Sequence, residues 1–255
     1  MAQKVIITAA AAGIGRAIAV AFANSGANVH ICDMDAGALA ELAAKHPEIV
    51  GAHVDVTDEA ALEAWFTHAT AQMGGLDVLV NNAGIAGPTA VVEDISLEDW
   101  RQCIAVCLDS HMMTSRLAVP VMKAQKSGAI INISSGAGLC GYPLRTPYAS
   151  AKWAVIGFTK SLASETGPFN VTVNAICPGA VSGPRIDRVI VAEAEAAGRS
   201  EDEVRMDYAK NVSMRRFVEP EEIADMAVFL ASPGAKMVNG QAISVDGHAE
   251  LYHSE

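Results

Sequence analysis

Lys4-Val5-Ile6-Ile7-Thr8-Ala9-Ala10-Ala11-Ala12-Gly13-Ile14-Gly15 is the stretch on which the fold turns. Lys4 to Thr8 reads as a short apolar strand, and Ala9 to Gly15 as a turn of small residues. From Ile14 to Ser25 the apolar positions fall at helical spacing, with Gly26 as the stop. A strand, a glycine turn and a helix in that order let backbone amides at a helix N-terminus approach a pyrophosphate. A Gly-x-Gly turn alone is a weak signal, and what lies downstream gives it weight.

The next strand, Asn28 to Cys32, closes on Asp33, about twenty residues past the turn. A carboxylate there binds both hydroxyls of an adenosine ribose and repels a 2′-phosphate, so the expectation is NAD rather than NADP. The alternation continues. Asp35 to Lys45 reads as a helix, Ile49 to Val54 as a strand ending in Asp55, and Thr57 as the cap of a helix reaching Met73. Asp77 to Val80 leads into Asn81-Asn82-Ala83-Gly84. Ser96 with Asp99 predicts a capping box for one long helix to about Lys123. Gly128 to Ser134 is a strand, Pro147 to Glu165 a helix, and Val171 to Ile176 a strand running into Pro178-Gly179. A polar, alanine-rich segment follows, then a helix opened by Pro220 and a last strand over Ala242–Val245. Strands alternating with helices predict an α/β fold: a doubly wound, mostly parallel Rossmann-like sheet in a single domain over residues 1–255. Ligands of such sheets bind beyond the carboxyl ends of the strands. Thr8, Asp33, Asp55, Asn82, Ser135 and Pro178 all fall at such ends.

The chemistry is concentrated in Ser134-Ser135-Gly136 and Pro147-Tyr148-Ala149-Ser150-Ala151-Lys152. On a helix Tyr148 and Lys152 share a face, about 5–6 Å apart at Cβ. A free phenol ionises near pH 10 and is a poor base at neutrality. An ammonium about 4 Å from a phenolate supplies roughly 4 kcal/mol at an effective dielectric near 20, enough to make the pair a credible general acid/base. Ser135 is placed to hold the substrate oxygen while the proton moves.

The composition narrows the alternatives. A 51% hydrophobic fraction with 18% charged residues supports a large core and argues against disorder. A net charge of −11 disfavours nucleic acid and anionic membrane as partners. The five cysteines (Cys32, Cys103, Cys107, Cys140 and Cys177) are odd in number and lack metal-ligand spacing. They read as reduced, mostly buried thiols in the cytoplasm, with no metal. The glycines and Arg16 break up the N-terminal apolar run, so a signal peptide is not expected. No apolar run reaches transmembrane length.

Over essentially its whole length the sequence resembles the short-chain dehydrogenase/reductase family in its single-domain form. The matching pieces are the Thr8–Gly15 turn, Asp55-Val56, Asn81-Asn82-Ala83-Gly84, Ser135, Tyr148-x-x-x-Lys152, Pro178-Gly179 and Val245-Asp246-Gly247. The resemblance implies NAD(H)-dependent interconversion of a secondary alcohol and a ketone, with Ser135, Tyr148 and Lys152 catalytic. It implies cofactor contacts from Thr8, Gly13, Ile14, Gly15, Asp33, Asp55, Val56, Asn82, Ala83, Gly84, Pro178, Gly179 and Val181, and from Tyr148 and Lys152 through the nicotinamide ribose. It also implies a homotetramer or homodimer, joined through the long helix after Ser96 and the Tyr148 helix, and a substrate lid at about residues 183–216.

Three positions depart from the family pattern. Ala9 stands for the first turn glycine, Gly183 for a threonine near the carboxamide, and Cys107 for an asparagine that helps hold a proton-relay water. A thiol is not expected to replace the two polar ends of an amide. The substrate stays open among sugar, polyol and hydroxy acid. A 3-oxoacyl thioester reductase, a cofactor-binding relative with weak turnover, and an isomerase or dehydratase are the alternatives. Arg145, in the loop before Tyr148, and Arg185, at the start of the lid, are candidates to hold an anionic group on the substrate. The competing expectation is that these arginines pair with nearby acids such as Asp187, Glu193 or Glu195.

Overall fold

A computed structural model describes residues 2–249. Its centre is a seven-stranded sheet in the order β3-β2-β1-β4-β5-β6-β7, every neighbouring pair parallel. The strands are β1 (Lys4–Thr8), β2 (Asn28–Asp33), β3 (Ile49–His53), β4 (Val78–Asn81), β5 (Gly128–Ile133), β6 (Val171–Pro178) and β7 (Ala242–Val245). The helices are α1 (Gly13–Asn24), α2 (Ala36–Lys45), α3 (Glu59–Met73), α4 (Leu97–Ile104), α5 (Ser110–Gln125), α6 (Thr146–Thr166), α7 (Pro184–Ala197), α8 (Glu201–Lys210) and α9 (Pro220–Leu230).

The central strands are apolar on both faces because both faces are covered. Side chains of a strand alternate, so Val5 and Ile7 join one core with Ile18 and Phe22 of α1 and Ile223 and Leu230 of α9. Ile6 joins the opposite core with Leu62 and Phe66 of α3, Met122 of α5 and Leu162 of α6. Order reverses between β1 and β4, where chain leaves the sheet in opposite directions and opens a crevice at the carboxyl edge. Among the described residues no helix is long and apolar enough to cross a membrane.

Three local expectations are corrected. Asp58, not Thr57, caps α3, its carboxylate accepting the Ala61 N–H. Thr57 is held instead by Asp55, which accepts both its amide and its hydroxyl. Ser96 caps α4, but the Asp99 carboxylate reaches only the Ser96 hydroxyl, at 2.6 Å. An aspartate is one methylene shorter than the glutamate that closes such a box. The long helix to Lys123 is interrupted by one wide π turn over Ala105–Asp109, which carries Cys107. Such turns change which side chains share a helix face, and the apolar spacing of the sequence does not reveal them.

Candidate active site

The β1 turn is built by cross-links to β4. Thr8 is buried, and its hydroxyl oxygen accepts the amides of Asn82 and Ala83, both at 3.1 Å. The Asn82 amide returns two bonds, to the carbonyls of Thr8 at 3.1 Å and Ala9 at 2.7 Å. Gly15 is required by this closeness: a Cβ there would sit 2.4 Å from Asn82 Nδ2 and 2.5 Å from the Ala9 carbonyl oxygen. Ala9 adopts φ 51°, a left-handed conformation that suits glycine. No side chain caps α1, so its first amides are left to a ligand. Asp33 is half-buried at the mouth of the crevice. Its carboxylate accepts the Ala11 amide at 2.9 Å and the Asp35 amide at 3.0 Å, and so holds the turn while keeping lone pairs to spare. An uncapped helix end, a turn that excludes a Cβ and a carboxylate one strand away fit a dinucleotide with an unmodified ribose.

Asp55 is exposed and turned to Thr57, whereas Val56 is buried. At the other end of the crevice Pro178 closes β6 and pairs with Val245. A Cβ on Gly179 would come within 2.9 Å of Asp246 Cβ, so glycine lets the ends of β6 and β7 meet. Val181 bridges to Val218. The hydroxyl of Ser182 donates to Glu219, and Gly183 precedes α7 at φ 131°.

Ser134 and Gly138 bring α6 against β5. The Ser134 hydroxyl donates to the Lys152 carbonyl at 2.8 Å, and a Cβ on Gly138 would lie 2.7 Å from that same oxygen. Ser135, at the strand end, accepts the Ala137 amide at 3.1 Å and keeps its own O–H to donate. The buried Lys152 ammonium donates to the Ile133 carbonyl at 2.7 Å and lies 5.8 Å from the Tyr148 ring centre. Arg145 and Arg185 approach the same ring, at 4.9 Å and 5.8 Å. The structure therefore brings three cationic side chains around Tyr148.

The segment after β4 is held by side chains from four elements. His111 Nε2 bonds the Ala83 carbonyl, Arg185 donates to that of Gly84, and Arg145 donates to that of Ala86 through Nε at 3.0 Å and an Nη at 2.7 Å. Cys107 Sγ accepts the Ile85 amide at 3.3 Å and donates to the Ile85 carbonyl at 3.6 Å. One sulfur thus meets both polar groups of a residue. Of the two neighbouring thiols Cys107 is the more acidic, because Cys103 donates to it and Lys152 stands near.

Two features escaped the sequence reading. His111 is wholly buried, held neutral by desolvation with its pKa lowered to about 3, and its Nδ1 has no partner. Tyr142, in the loop before α6, and Tyr208, on α8, share the Glu193 carboxylate of α7. Burial and then Glu193 push Tyr142 up to about 12, so it stays a donor at ordinary pH. Polar residues inside apolar runs were a usable signal for a related case: Asn81 and Asn132 bond each other at 2.8 Å between β4 and β5.

Residues 9–248 match the family model described as enoyl-(acyl carrier protein) reductase, a model of the short-chain dehydrogenase/reductases. The chain belongs to the short-chain dehydrogenase/reductase family. As a member of it, the chain is an oxidoreductase. It is 39% identical over 251 residues to a D-beta-hydroxybutyrate dehydrogenase of Cupriavidus necator, covering 96% of each chain. It is 39% identical over 258 residues to the trans-4-hydroxycyclohexanecarboxylate dehydrogenase of Sinomonas cyclohexanicum, covering 97% of this chain and 93% of the other. The crystal structure of NAD+-bound xylitol dehydrogenase superposes with a TM-score of 0.93 at 26% identity, over 96% of this short-chain dehydrogenase and 98% of that chain.

Proposed function

We propose that this enzyme is an NAD-dependent dehydrogenase that interconverts a secondary alcohol and a ketone, with Tyr148 as the acid/base. The observation that carries the reading is the setting of Tyr148: its ring faces the Lys152 ammonium in the crevice whose other end is the uncapped α1 terminus beside Asp33. When bound, NAD supplies the hydride acceptor. The first amides of α1, from Gly13 to Gly15, would hold its pyrophosphate, and Asp33 its adenosine ribose. Asp55 and Val56 would flank the adenine, and Thr8, Asn82, Ala83, Gly84, Pro178, Gly179 and Val181 would shape the wall. In the oxidative direction Tyr148 accepts the hydroxyl proton, and Ser135 donates its O–H to the same oxygen. Lys152 favours the negative charge that the phenol oxygen carries before the proton arrives.

Residues 183–216 act as the lid in this reading, fastened to the catalytic loop through Glu193, Tyr142 and Tyr208. We place the enzyme in the cytoplasm, consistent with five free cysteines, four of them buried, and as a homodimer or homotetramer through α5 and α6. The test is Tyr148→Phe, which keeps the ring and removes the proton site. Turnover should fall by at least about 100-fold while NADH binding, followed by fluorescence, persists. A variant within a factor of a few of wild type rejects the role, and equal use of NADP rejects the cofactor preference.

A further inference from the structure

Among the described residues no carboxylate pairs with the cations at Tyr148. The chain carries 29 acids against 18 basic residues, yet no ion pair within 4.0 Å involves Arg145, Lys152 or Arg185. Two of the acids expected to pair with the arginines are engaged elsewhere. Asp187 pairs with Arg205, and Glu193 accepts from Tyr142 and Tyr208. Positive charge gathered at one tyrosine and paired with no carboxylate among the described residues, in a chain of net charge −11, suits an anion from outside the chain.

The two arginines are not equivalent. Arg145 is only 4% exposed, and two of its N–H groups are spent on the Ala86 carbonyl. Its guanidinium lies near the rings of both Tyr142 and Tyr148. It is a strap between the catalytic loop and the segment after β4. Arg185 is exposed and spends a single N–H, at 3.2 Å, on the Gly84 carbonyl. The rest of its planar fork is unspent, and that fork is the geometry that takes a carboxylate with two parallel bonds. Arg185 also lies in the first turn of α7, a 14-residue helix whose N-cap, Gly183, offers no side-chain cap, so the helix end favours negative charge at the same place. A Cβ on Gly84 would meet Lys152 Nζ at 3.4 Å and an Arg185 Nη at 3.9 Å, which puts the fork and the ammonium on the same residue.

We propose that Arg185 is the specificity-determining residue of the enzyme: it holds a carboxylate on the substrate, which is therefore a hydroxy acid in the oxidative direction and an oxo acid in the reductive one. This rests on the dehydrogenase reading and narrows it. Sugars and polyols without an anionic group leave the fork unmatched. Because the fork sits on α7, a bound carboxylate also ties the proposed lid to the segment that carries Gly84.

The experiment compares hydroxy acids of four to eight carbons with neutral analogues in which CH2OH replaces the carboxylate, beginning with 3-hydroxybutanoate against 1,3-butanediol. NADH formation is followed for wild type, Arg185→Ala and Arg185→Lys. The expected result is a preference of wild type for the acids. Arg185→Ala should raise KM for the acids at least about tenfold, with kcat and the neutral alcohols changed less than about twofold. Arg185→Lys restores the charge but not the fork and should fall between. Equal effects on acid and alcohol overturn the proposal, and so does a rise confined to the KM for NAD, which would make Arg185 a cofactor contact. In parallel, thermal shifts of the NADH-loaded proteins are read with the same acids and alcohols. If no alcohol is oxidised, the dehydrogenase reading fails, and this second arm still decides the inference. Carboxylate-dependent stabilisation present in wild type and absent from Arg185→Ala upholds it. No such difference overturns it.

Discussion

Arg145→Met separates a strap from a substrate contact. Methionine keeps an unbranched apolar stem and removes every donor. The Ala86 carbonyl then loses both bonds from the guanidinium, and an acceptor left unpaired costs about 1–3 kcal/mol. The lost stacking against Tyr148 at 4.9 Å and Tyr142 at 5.7 Å adds about 0.5–2 kcal/mol. Relief from burying a charge without a counter-ion offsets part of this. The net expectation is about 3 kcal/mol, which for a chain of 255 residues lowers Tm by about 6–12 °C. The loop it secures includes Leu144 at φ 61°, a strained backbone that packing must enforce, and it leads directly into Tyr148. Turnover should therefore fall at least about tenfold for charged and neutral substrates alike. Thermal unfolding by calorimetry and steady-state kinetics on both substrate classes provide the measurements. A variant with unchanged Tm and a KM raised for acids alone would refute the reasoning and return Arg145 to the substrate.

Two further outcomes are expected. His111 ionises near pH 6.5 when unfolded but only about pH 3 when folded, so the unfolded chain binds the extra proton between these values. This contribution is complete above pH 6.5 and is lost as pH falls toward 3, by up to about 5 kcal/mol; chemical denaturation of His111→Gln should show a shallower acid slope, and an unchanged slope counts against it. Ala9→Gly removes a side chain from the left-handed region, worth about 1–2 kcal/mol, against about 0.4–1 kcal/mol of added freedom in the unfolded chain. Tm should rise by a few degrees at most, and a fall would show that the methyl group packs usefully.

Much of the fold and part of the site were legible before any coordinates. Apolar runs at strand length, alternating with helical spacing, are enough to set a parallel sheet, because each crossover needs a helix and each helix needs a face to bury. The same local rules placed Thr8, Asp33, Asn82, Ser135 and Pro178 at strand ends, since side-chain period and chain direction are properties of short segments. The spacing of Tyr148 and Lys152 similarly followed from one helix. What sequence left open depended on groups far apart in the chain. Asn82 and Thr8, which are 74 residues apart, cross-link because β4 lies beside β1, and nothing local specifies that neighbour. Cys107 finds both polar groups of Ile85 only through a π turn that interrupts the helical period. Above all, the identical guanidinium of Arg145 and Arg185 meets different surroundings at each position. Arg145 is buried with two N–H groups on the Ala86 carbonyl, whereas Arg185 is exposed at the head of α7 with one N–H on the Gly84 carbonyl. Residue type fixes what a side chain is able to donate; only the tertiary structure decides which of its donors are already taken.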